Sequence, residues 1–63
     1  MTDDEILTFI REHEDPVVTA KEIANEFDVT NGAVNYRLGK LERRGKVRPK
    51  EAGSSAVVWY LAG

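Results

Sequence analysis

Along the first part of the chain apolar residues recur at helical spacing. At about 100° per residue, Ile6, Leu7, Phe9, Ile10 and His13 share one broad stripe, with Asp4, Arg11, Glu12 and Glu14 mostly outside it. Thr2-x-x-Glu5 has the form of a capping box, and Asp3, Asp4 and Glu5 suit the positive end of a helix dipole, so a helix is predicted from about Asp3. Pro16 excludes Asp15 from the helical region and ends that helix. Val17 and Val18 follow, β-branched and enough only for a short strand.

A second capping box, Thr19-x-x-Glu22, opens a short helix with Ala20, Ile23, Ala24 and Phe27 on its packed side, ending near Phe27. Asp28-Val29-Thr30 is the break after it, with Asp28 a residue type that tolerates a left-handed turn and Thr30 a helix cap. In the third helix Val34, Leu38 and Leu41 form the core stripe; Gly32, Asn35, Tyr36, Gly39, Lys40 and Arg43 face the other way. Gly45 suits the position just past its basic last turn. Lys46-Val47-Arg48 then reads as extended, Pro49 to Ser55 as a turn-rich loop, and Ala56 to Leu61 as a strand. This pattern predicts a small α+β domain spanning residues 1–63, with a helix-turn-helix at about 19–45 and a hairpin wing at about 46–61.

With 63 residues and no cysteine, the chain has room for one small core and has neither a disulfide nor a cysteine-based zinc site. His13 lacks companion ligands, so no metal or other cofactor is expected. The longest apolar run, Ala56 to Ala62, is far below the roughly 20 residues that span a bilayer, so no membrane partner is expected. The acidic start argues for a cytoplasmic location rather than export. Ser54 and Ser55 have no base nearby in the sequence and no glycine-rich phosphate loop precedes a helix, so no enzymatic activity is predicted.

Charge sharpens the picture. Residues 1–28 carry nine acids against two bases, and residues 29–63 carry seven bases against two acids, within a net charge of -2. A basic half on an acidic chain points to a polyanion meeting one face.

The stretch from Thr19 to Val47, with its small Ala24, its apolar Ile23, Phe27, Val29, Val34, Leu38 and Leu41, and the run Arg37-Leu38-x-x-Leu41-Glu42-x-x-Gly45, resembles the winged helix-turn-helix of prokaryotic transcription regulators. The similar groups include the Lrp/AsnC, ArsR and MarR families. Asp28 stands where many members have glycine. The resemblance implies sequence-specific binding of double-stranded DNA on the nucleoid, by a regulator or its N-terminal reading domain.

The residues support the same chemistry directly. A recognition helix presents its N-terminal residues to base edges, and Thr30, Asn31, Gly32, Asn35 and Tyr36 occupy that end. An asparagine amide donates and accepts together, which suits adenine, so Asn31 and Asn35 are the candidates for base readout. Arg37 and Lys40 are placed for phosphates, Lys21 for the backbone beside the second helix, and Arg48, Lys50, Ser54 and Ser55 for the backbone or minor groove beside the wing. Plainer roles stand beside these: Asn31 and Gly32 as helix openers, Arg37 as a packed amphipathic stem, Gly39 as a tolerated glycine.

The last strand is apolar on both sides, so Val58 and Tyr60 are candidates for covering by a second copy or an adjoining domain. This supports the alternative of a winged-helix protein-interaction module that binds no nucleic acid. Structured RNA is a poorer fit, because its deep, narrow major groove excludes a recognition helix.

Overall fold

Three helices precede a hairpin, in the order α1 (Asp3–Glu12), α2 (Ala20–Phe27), α3 (Asn31–Arg43), β1 (Val47–Glu51) and β2 (Val57–Leu61), in a computed structural model describing residues 1–53 and 56–62. The α+β architecture is that of a small winged helix. Both capping boxes form. Thr2 Oγ1 accepts from the Glu5 N–H at 3.2 Å and the Thr2 N–H donates to Glu5 Oε1 at 2.7 Å. Thr19 and Glu22 repeat the exchange at 3.2 and 2.9 Å. Thr30 Oγ1 accepts from the Ala33 N–H at 3.1 Å, and with alanine at that position α3 has no reciprocal bond.

Helix α1 stops at Glu12, earlier than Pro16 alone requires, because His13 is extended with ψ 144°. Its ring compensates for the lost turn: Nδ1 lies 3.2 Å from the Asp15 N–H, and Nε2 lies 2.9 Å from Glu22 Oε2 at the start of α2. Phe9 meets the same ring edge to face at 5.4 Å, so His13 sits at the margin of the core.

Asp28 takes the left-handed conformation, φ 54° and ψ 50°, that the turn between α2 and α3 demands. At the far end of α3, Gly45 has φ 74° and its N–H donates to the Glu42 carbonyl, while the Lys46 N–H reaches back to the Leu41 carbonyl, both at 2.9 Å. That pair of bonds is a Schellman closure, which needs the left-handed residue that glycine supplies.

Strands β1 and β2 pair antiparallel, Val47 opposite Leu61 and Glu51 opposite Val57, and Val18 bridges Trp59 on the other edge of β2. The expected loop from Pro49 is corrected: the strand runs on to Glu51, through the proline. The Trp59 N–H and carbonyl both point to Val18, at 2.7 and 2.9 Å. Pro49 therefore faces Trp59 at a position without ladder bonds, and its missing N–H costs the sheet nothing.

All layers meet in one core. Ile6 and Ile10 of α1, Ile23 and Ala24 of α2, and Val34, Leu38 and Leu41 of α3 are buried against Val18, Val47 and Trp59 of the sheet. Leu7, Phe9, Ala20 and Phe27, predicted to face inward, are partly buried at its edge. Full burial is worth about 1.5–3 kcal/mol for each large aliphatic side chain, which orients α3 rigidly and turns its other faces outward.

Candidate functional site

Because Val34, Leu38 and Leu41 point into the core, the rest of α3 divides into a crest and two flanks. Tyr36 stands on the crest and is 66% exposed. Lys40 Nζ lies 5.4 Å from the centre of its ring, a cation–π contact that leans the ammonium along the crest.

The flank toward the wing carries Asn31 and Asn35, one turn apart and exposed. With Thr19, Ala20 and Lys21 from the start of α2 and Ala56, Val57 and Trp59 from the hairpin, they line an open groove of about 430 Å³. Amides, an ammonium and an indole thus share one depression, a surface able to make both hydrogen bonds and apolar contact. Lys21, Asn31 and Asn35 are brought together as the sequence suggested. Trp59 and Val57 were not anticipated there. Strand alternation placed them on one face of the hairpin, but no sequence signal told which helix end that face meets.

Thr30 and Gly32 lie at the mouth of the same helix. The Thr30 hydroxyl oxygen already accepts the Ala33 N–H, leaving its own proton free to donate. A Cβ built on Gly32 would lie 3.9 Å from Thr30 Oγ1, an ordinary contact, so packing does not require glycine there.

On the other flank Arg37 is separated from the asparagines. Its Nη1 donates to Asp3 Oδ1 at 3.3 Å, and Arg44 Nη1 donates to Asp3 Oδ2 at 3.3 Å. Arg37 is half-buried, in keeping with an amphipathic stem packed beside the core.

Arg48 and Lys50 leave β1 on the face opposite buried Val47, level with Tyr60 and Val58 of β2. Both basic residues are exposed, whereas Val58 and Tyr60 are half-buried. Ser54 and Ser55, expected on the wing, lie outside the described residues.

The α1–α2 face has the opposite character. Asp4, Glu5, Glu12 and Glu26 ring a shallow cleft floored by Phe9 and Phe27. Glu22 is held below the ordinary carboxylate range chiefly by the Thr19 N–H, which outweighs the opposing effect of burial, with the Thr19 hydroxyl and His13 lowering it further. Glu5 is lowered in the same way, first of all by the Thr2 N–H. Among the described residues no three His, Asp or Glu side chains gather as metal ligands, and no helix is long and apolar enough to cross a membrane.

A family model described as winged helix-turn-helix DNA-binding matches residues 2–48. No curated protein matches the sequence. Among solved structures, a cysteine-to-serine mutant of Lactococcus lactis ZitR is similar, at 24% identity and TM-score 0.81 over 95% of this chain and 40% of that one. An apo double mutant of the same protein gives 24% identity and TM-score 0.82, covering 95% of this chain and 45% of that one. The apo-Zalpha of zebrafish PKZ gives 23% identity and TM-score 0.78 over 97% of both chains. The present chain thus spans less than half the length of the ZitR chains and nearly all of the Zalpha chain. At these identities the likeness is one of fold.

Proposed function

The chain belongs to the winged helix-turn-helix DNA-binding family, and on that premise we propose that it reads double-stranded DNA sequence-specifically, as a transcriptional regulator or the reading domain of a longer one. Helix α3 enters the major groove, where Asn31 and Asn35 meet base edges with Thr30, Gly32 and Tyr36 beside them. Lys21, Lys40, Arg48 and Lys50 contact phosphates, and Arg37 joins them from the far flank. Ser54 and Ser55 complete the wing's backbone contacts. The protein works in a prokaryotic cytoplasm, on the nucleoid.

One observation carries this reading. Among the described residues no hydrogen bond or ion pair to the rest of the protein engages the side chain of Asn31, Asn35, Lys21, Arg48 or Lys50, although all five are exposed on or beside α3 and the wing. Polar groups left unengaged on a rigid element are available to a ligand.

The test is an amide-shift NMR titration of the labelled chain with a mixed-sequence duplex, at low and then moderate salt. Shifts at Thr30 to Lys40 and along β1, weakening with salt, are expected. Silence of those residues at low salt would sink the reading.

The outer face of β2 favours a second reading, in which a second copy or an adjoining domain packs on the hairpin through Val58 and Tyr60, two large apolar side chains left only half-buried there. Alanine at both positions should then abolish self-association in sedimentation, and Asn35→Ala should leave it unchanged. A chain that sediments as a monomer throughout rules out the second copy.

A further inference from the structure

We propose that Arg37 and Arg44 form a distinct phosphate-binding pair on the flank of α3 away from the wing, occupied by Asp3 in the free protein and transferred to a DNA phosphodiester on docking. The inference rests on the DNA-binding reading above and deepens it.

Two guanidinium groups converge on one carboxylate, each through a single nitrogen at 3.3 Å and each to a different oxygen. Seven positions apart, Arg37 and the cap residue Arg44 lie on the same flank of α3, two turns from each other, and Lys40 stands between them with no carboxylate of the described residues within ion-pair distance. Together they make a basic ridge on which Asp3 covers both ends. The side chains of Arg37 and Arg44 remain 41% and 61% exposed, against 25% for Asp3, so the outer donors of both forks face solvent. A guanidinium carries five N–H donors, and the present contacts use one nitrogen of each. Paired forks aimed at one anion are the arrangement that binds phosphate oxygens.

Exchange of the carboxylate for a phosphate is favoured on both sides. The Arg44 contact is exposed and the Arg37 contact only part-buried, each a single bond at 3.3 Å, so the stability lost on their release is modest. Asp3 sits in the first turn of α1, where the helix dipole keeps its charge stabilised after release. Each phosphate gained releases counterions, which an internal carboxylate contact does not.

Fluorescence anisotropy with a labelled mixed-sequence duplex across a salt series tests this. Asp3→Asn is compared with Asp4→Asn, which removes the same charge from an exposed neighbour with no arginine contact. The expected result is binding several-fold tighter for Asp3→Asn than for Asp4→Asn at low salt. Arg37→Gln combined with Arg44→Gln should lower the slope of log affinity against log salt by about 2. Thermal unfolding checks that each variant is folded. In the wild-type chain the Asp3 carboxyl carbon resonance should move as duplex saturates it, a readout that needs no variant. Equal affinities for the two aspartate variants, an unchanged slope for the arginine pair, or a static Asp3 resonance at saturation would each overturn the exchange while leaving DNA binding intact. A flat wild-type titration overturns the DNA-binding reading and this inference together.

Discussion

The two flanks of α3 are built from the same helix and treated in opposite ways. Toward the wing, Asn31 and Asn35 open onto a groove lined also by Trp59, and their side chains engage no hydrogen-bond partner among the described residues. Away from it, Arg37 and Arg44 are bound to a carboxylate contributed by α1. Cationic character therefore does not by itself mark the available surface. The uncharged amides are free to bind, whereas Arg37, a phosphate candidate in the sequence, and Arg44, a helix-end charge there, are already engaged. What separates the flanks is the neighbour that the fold supplies, a hairpin on one side and an acidic helix start on the other.

Removing the shared scaffold breaks the comparison most severely. Leu38 is fully buried between the flanks, and Leu38→Ala should cost about 2–5 kcal/mol in urea unfolding. In so small a domain such a loss disorders both flanks together. Asn35→Ala addresses one flank alone. It should weaken binding to a preferred duplex by about 1–3 kcal/mol, as read by anisotropy against a mixed-sequence control, and leave the unfolding midpoint unchanged. Equal losses on preferred and mixed duplexes would remove the base-reading role.

Smaller changes sharpen the contrast. Thr19→Ala removes the cap of α2 and should lower stability by about 1 kcal/mol, read as a shift in the urea midpoint. Gly39→Ala should raise stability by about 1 kcal/mol, because a Cβ there meets nothing within 4 Å and alanine favours the helix. If duplex affinity stays constant in that variant, Gly39 is simply tolerated; a loss would place DNA close against it.

The weakest effect is on acid stability. The folded-state pKa of Glu22 lies below its ordinary value of 4.5, so its contribution is complete above that value and disappears as pH falls through the lowered one. Glu22→Gln, which can still accept the Thr19 bonds, should make the fall in urea midpoint below pH 4.5 less steep.

Much of the fold was legible because its signals are local. The capping boxes at Thr2 and Thr19, the left-handed Asp28 and Gly45, and the apolar stripes all act within a few residues along the chain, where backbone geometry leaves few alternatives. The run of β1 through Pro49 was not legible, since its tolerance depends on Trp59 turning its polar groups to Val18, thirty and more residues earlier in the chain. The early end of α1 likewise depends on His13 finding Glu22 in another helix.

The candidate site divides in the same way. Helical spacing alone told which residue types α3 turns outward, because a helix that buries Val34, Leu38 and Leu41 must expose Gly32, Tyr36 and Arg43 on the far side. Their neighbours came from the packing of separate elements: Trp59 lining one groove with the asparagines, and Asp3 between Arg37 and Arg44, 34 and 41 positions away. Helical periodicity sets direction around an axis, whereas the partner a side chain meets depends on how separate elements pack, and burial of the common core fixes that packing.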